Sequence, residues 1–152
     1  MSSTTGDVLR QANALTTSGA QLVMDAAETE ARSHGWLVTI AIADQGGNPL
    51  LVKRLGGAFA ASYTIAVEKA RTAALFEKKT GALEAAANVK DGESRTALLS
   101  APFVLMCGGL PIKDSGGSTV GSIGVSGVTP DQDEMVANAG VSALTQILSS
   151  KL

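Results

Sequence analysis

The stretch that most constrains the fold is Gly121–Asp133, Gly-Ser-Ile-Gly-Val-Ser-Gly-Val-Thr-Pro-Asp-Gln-Asp, where a glycine-rich β-run meets a helix start. Side chains alternate along a strand, so Ile123 and Val125 share one face while Ser122, Gly124 and Ser126 share the other. One face is therefore stripped of bulk. Thr129 then occupies an N-cap position, Pro130 suits the first helical position, and Gln132 completes a Thr-x-x-Gln capping box. Asp131 and Asp133 follow in the first turn, beside the positive end of the helix dipole. Two readings of the bare face stay open: a ligand or its polar head lies over it, with backbone amides near Thr129 as donors, or a helix backbone packs closely against it.

The remaining pattern builds outward from that junction. Val8, Ala12, Leu15, Gly19, Leu22 and Ala26 recur at helical spacing and predict one long helix from Val8 to His34, closed by Gly35. Trp36–Ala43 and Leu50–Leu55 read as a hairpin about the Asp44–Asn48 turn. Ser62 begins a second helix that carries Lys69 and Arg71, and Thr80–Asn88 gives a short third one. The polar stretch 89–100 reads as a loop. Phe103–Cys107, Leu110–Lys113 and Ser118–Ser126 predict three further strands, and Pro130 to about Ser149 the closing helix. The links between strands are too short for parallel crossovers, so the sheet is expected to be antiparallel with helices packed on it.

Composition limits what such a chain does. Its 152 residues suit one domain, 1–152, and its interior must use small and aliphatic side chains, since only 3% of residues are aromatic and 17 are glycine. A formal charge of -2 gives no footprint for nucleic acid. Cys107 is the sole cysteine, which excludes an internal disulfide framework and a thiolate-rich zinc site; no metal site is assigned. No segment approaches a membrane span or a secretory leader, so a soluble, cytoplasmic protein is expected. With 17% charged residues, some of the surface is expected to be covered by sister subunits in a homo-oligomer.

Several stretches together resemble the GlcG/HbpS-like family, which includes the carboxy-terminal domain of PduO-type proteins and haem-binding or haem-degrading proteins. They are Ala43-Asp44 with Gly46-Gly47, Arg54, Ala66-Val-Glu-Lys-Ala-Arg-Thr-Ala73, Gly108-Gly-Leu-Pro-Ile112 and Gly121–Asp133, and the likeness covers nearly the whole chain. The resemblance implies an α+β, profilin-like fold with a five-stranded antiparallel sheet, assembled into dimers or larger rings. It associates the family with haem, corrinoid metabolism and glycolate utilisation. The adenosyltransferase activity of PduO-type proteins belongs to another domain and is not carried over.

Each candidate residue has a plain counterpart. Gly108, Gly109 and Pro111 form either a pocket lip or a strand connection needing positive backbone angles. Arg54, Lys69 and Arg71 are the cations suited to a carboxylate-bearing ligand, or else ordinary surface charges. Lys69 and Asp133 can also serve as acid, base or imine-forming groups, although Asp133 and Asp131 are explained by the helix dipole alone. Cys107 reads as an inert buried thiol. His34 suits a helix C-cap better than a haem axial ligand; a methionine, Tyr63 or a hydroxyl are the other donors, or a contact at a subunit boundary.

Two functions follow from these residues. The first is a homo-oligomeric small-molecule-binding protein for haem, another tetrapyrrole or a different anionic organic ligand, contacted by Arg54, Gly108, Gly109, Pro111, Ser122, Gly124 and Ser126. The second is a metal-independent isomerase, lyase or cyclase that moves a proton on a carbonyl-containing metabolite, with Lys69 and Asp133 as its catalytic groups.

Overall fold

The computed structural model describes residues 8–88 and 91–151. Its elements are α1 (Thr17–Ser33), β1 (Thr39–Asp44), β2 (Pro49–Arg54), α2 (Ser62–Phe76), α3 (Thr80–Ala87), a 3-10 turn (Thr96–Ser100), β3 (Gly109–Lys113), β4 (Thr119–Ser126) and α4 (Pro130–Ser150). The strands form one antiparallel sheet in the order β2-β1-β4-β3. The α+β class and the antiparallel sheet agree with the expectation from sequence.

Alternation along the two central strands divides the sheet into a bulky face and a bare one. Ile40, Ile42, Ile123 and Val125 join Val23, Ala27, Val136 and Ala137 in the main core, so α1 and α4 cover the bulky face. Ala41 and Ala43 meet Ala66 and Ala70 of α2 on the other side. Both hairpins turn on an aspartate. Asp44 Oδ1 accepts from the Gly46 and Asn48 amides, and Asp114 Oδ1 accepts from those of Gly116 and Ser118. The predicted capping box of α4 is formed, with Thr129 and Gln132 bonding reciprocally.

Two expectations need correction. The sheet has four strands, not five, because Phe103–Cys107 is not a strand. Phe103 packs edge-on against Phe76 with the Arg71 guanidinium over its ring, and Leu105 joins Leu83 and Ala87. The Cys107 amide donates to Glu84 Oε2 rather than to a neighbouring strand. The first helix begins at Thr17 instead of Val8: Thr16 Oγ1 accepts from the Gly19 amide, and the Leu15 amide donates to the Val120 carbonyl. Val8 and Leu9 are exposed, so their helical spacing had no face to bury.

Candidate functional site

The bare face of β4 is the seat of α2. A Cβ on Gly124 would stand 2.1 Å from the Ala66 carbonyl oxygen and 2.4 Å from the Ala70 nitrogen. Ser122 is buried, and its hydroxyl donates to the Ala70 carbonyl at 2.6 Å. Gly109 lies equally close to α2, since a Cβ there would meet the Lys69 carbonyl oxygen at 2.6 Å. Ser126 is buried opposite Thr39, and Pro111, half-buried, pairs with Ser122 across β3 and β4. Of the two readings of this face, helix packing describes the protomer: the space over Ser122 and Gly124 is filled by the chain itself. The ligand contacts expected at Gly109, Ser122 and Gly124 have no room there.

The structure does bring Lys69 and Asp133 together. Lys69 Nζ donates to Asp133 Oδ2 at 3.0 Å and to the Val125 carbonyl at 2.9 Å, and each residue is 2% exposed. Asp133 Oδ1 accepts from the Val128 amide at 3.1 Å. Burial pushes the Asp133 carboxyl above its usual range, against the opposing pull of the Lys69 ammonium and the Val128 and Gly127 amides. Gly108, at φ +123°, completes the junction: a Cβ there would meet Lys69 Nζ at 2.8 Å and Asp133 Cβ at 2.9 Å. The pair thus ties α2 to the first turn of α4 inside a packed junction. A substrate atom reaches neither group in this arrangement.

Beside the junction lies an open cleft of about 530 Å³ between α3 and the start of α4, lined by Lys79, Glu84, Cys107, Asp131 and Glu134 among others. The Cys107 thiol donates to Glu134 Oε2 at 3.1 Å, and Lys79 Nζ lies 3.4 Å from Glu134 Oε1. Burial, reinforced by Glu134, pushes this thiol up to about 12. Three carboxylates against one lysine make the cleft a poor bed for an anion.

Arg54 lies at the open end of the β1–β2 hairpin. Its guanidinium Nε and Nη2 donate to the Ala58 carbonyl at 3.0 and 2.7 Å. Thr39, its register partner, meets the Ser62 hydroxyl at 2.8 Å, which brings the start of α2 alongside. Leu37, Phe59 and Tyr63, on the segments that flank this hairpin end and the start of α2, are 47%, 50% and 50% exposed, and a Cβ on Gly57 would meet Leu37 Cδ1 at 2.8 Å. Sequence reasoning named Arg54 but passed over Leu37 and Phe59. The available signal was two of the chain's few aromatic residues standing four positions apart behind Gly56-Gly57. His34 caps α1; its Nε2 lies 3.0 Å from Glu30 Oε1, and its ring stacks on Trp36. Arg71 pairs with Glu68 and donates to the Pro102 carbonyl.

Comparison with known proteins decides the family. The family model described as "Haem degrading protein HbpS-like" matches residues 15–142. The chain belongs to the HbpS-like family. Protein GlcG of Escherichia coli K12 is 36% identical over 108 residues, covering 70% of this chain and 77% of that protein. The crystal structure of Klebsiella pneumoniae protein ORFY superimposes with a TM-score of 0.83 at 28% identity, over 90% of this chain and 94% of that one. A double mutant of Streptomyces reticuli HbpS gives a TM-score of 0.77 at 32% identity, over 90% and 91% of the two chains. The four-stranded sheet with its helices is thus an HbpS-like fold. Among the described residues, no helix is long and apolar enough to cross a membrane.

Proposed function

We propose that the protein is a homo-oligomeric small-molecule-binding protein whose ligand is haem or another anionic organic molecule, held on the exposed face formed by Leu37, Arg54, Phe59 and Tyr63. The observation that carries this reading is that three half-exposed large apolar residues neighbour an arginine along the backbone: Leu37 beside Gly57, Phe59 next to the Ala58 carbonyl that Arg54 holds, and Tyr63 after Ser62, which meets the register partner of Arg54. A flat tetrapyrrole bearing carboxylates asks for an apolar bed, a cation and an axial donor. Leu37 and Phe59 supply the first, Arg54 the second and Tyr63 the third. Haem held there would supply iron-centred chemistry, while the chain's residues bind, orient and cover it.

One protomer offers such a ligand a single wall. A flat molecule lying on it keeps its other side in water, and a second copy closing over that side accounts for both binding and assembly. The enzymatic alternative draws no support from Lys69 and Asp133, which neutralise each other in a packed junction. Size-exclusion chromatography with light scattering, run with and without added ferric haem, tests the reading. A species of more than one chain that carries haem in saturable ratio is expected; a monomer that takes up none would refute it.

A further inference from the structure

We infer that the groove between α1 and α4 is an interface between copies of this chain, and that its occupant is the segment Val8-Leu9-Arg10 of a second copy. This builds on the homo-oligomeric part of the reading above and names a surface and what fills it. None of the residues assigned there to the ligand takes part.

The groove has a volume of about 800 Å³. Leu22, Ala26, Ala139, Ala143 and Ile147 line it, each only partly buried within the protomer. Its charged groups are Asp25 and Glu30, and among the described residues no lysine or arginine lines it. Asp25 Oδ1 accepts from the Gln21 amide at 2.7 Å, and Glu30 Oε1 lies 3.0 Å from His34 Nε2. An apolar surface left open to water beside two carboxylates suits a partner that is apolar and carries a cation.

The chain itself holds such a piece. Val8 and Leu9 are 76% and 74% exposed, the highest values among its exposed large apolar residues, and Arg10 follows them, also exposed. The segment belongs to no helix or strand. Downstream of it, Asn13 donates to Asp114 Oδ2 at 2.9 Å and the Leu15 amide to the Val120 carbonyl at 3.1 Å, which fixes the chain just ahead of α1 and leaves Val8-Leu9-Arg10 outside its own groove. Seated in the groove of a second copy, Val8 and Leu9 cover the apolar lining, and Arg10 faces Asp25 and Glu30. Two copies related by a two-fold axis make this exchange reciprocally, so one association buries two Val8-Leu9 pairs and sets two arginines against two acidic grooves.

Sedimentation velocity over a concentration series of the full-length protein tests this with Leu9→Asp, Arg10→Asp and Asp25→Arg, all at exposed positions. Each variant alone should raise the concentration at which the wild-type assembly forms by at least about tenfold. An equimolar mixture of Arg10→Asp and Asp25→Arg chains should recover wild-type association, because both pairs of opposite charges re-form across the interface; a contact within one chain is not repaired by mixing. Unchanged association in Leu9→Asp and Arg10→Asp, or a mixture no better than its components, would overturn the assignment. Ferric haem uptake by the same samples tests the binding reading separately: a wild type that assembles and responds to the variants as described, yet takes up no haem, would refute haem binding alone. A wild type that stays monomeric at every concentration would overturn the interface and the homo-oligomeric reading together.

Discussion

Gly124 lies directly beneath the backbone of Ala66, so close that no side chain fits between them. This contact sets the distance between α2 and the sheet, and Ala41, Ala43, Ala66 and Ala70 continue it as a seam of small residues. Gly124→Ala is therefore expected to destabilise the protein by about 3 kcal/mol, since both clashing atoms belong to helix backbone and neither can turn aside. Chemical denaturation measures the loss. A ligand pocket at this position would instead tolerate the methyl group.

The Lys69–Asp133 pair makes a different demand. Lys69→Met strands a buried carboxyl and should cost about 3–5 kcal/mol, whereas the double variant Lys69→Met/Asp133→Leu should lie within a few kcal/mol of wild type or above it. Acid should partly rescue the single variant. With its folded-state pKa raised by burial, Asp133 contributes stability that is present below the unfolded carboxylate value and lost as pH rises through the folded one. Unfolding curves at neutral and mildly acidic pH check this; a Lys69→Met variant that weakens further in acid would contradict it.

Cys107 should be inert near neutral pH. Burial and the Glu134 carboxylate push its thiol up from an ordinary value of 9.0 to about 12, so thiolate is scarce in the folded protein. The stability linked to that proton is complete below about 9 and is lost as pH climbs towards 12. Glu134→Gln removes the charge that faces the sulfur and should speed alkylation by iodoacetamide. Equal rates in both proteins would argue against the hydrogen bond.

Arg54 should matter to the ligand more than to the fold. Arg54→Gln is expected to weaken haem binding about tenfold, the loss of roughly one charge-assisted bond, and to flatten its salt dependence. Arg54→Lys should fall between, keeping the charge but not the fork that grips the Ala58 carbonyl. Isothermal titration at two salt concentrations separates these outcomes.

The parts of the fold legible in the sequence were those governed by local chemistry. Thr129, Pro130 and Gln132 announced α4 because a capping box acts within four residues, and the Asp44 and Gly46-Gly47 turn announced the first hairpin for a similar reason. Phe103–Cys107 was misread because its β-rich composition is used to cover α2 and α3, and only tertiary contacts reveal that use. The stretch from Val8 to Thr16 has helical spacing, but the Leu15 amide donates to the carbonyl of Val120, a partner far along the chain. The bare side of β4 was open to either a ligand or a helix backbone, and its residues Ser122, Gly124 and Ser126 were assigned to the ligand; α2 packs against Ser122 and Gly124, and only tertiary contacts show that. Leu37 escaped notice because only its exposure singles it out, whereas Phe59 carried a sequence signal in its spacing from Tyr63.

The account's central claim is that the ligand lies on the outer face at Leu37, Arg54, Phe59 and Tyr63 and not against the inner glycines of β4. Absorbance titration of ferric haem into wild type and Phe59→Glu tests it most directly, because Phe59 is half exposed and its replacement spares the core. Saturable binding by the wild type, abolished by the negative charge that Phe59→Glu sets against an anionic ligand, is the predicted result. Equal binding by both proteins would place the ligand elsewhere and contradict the account.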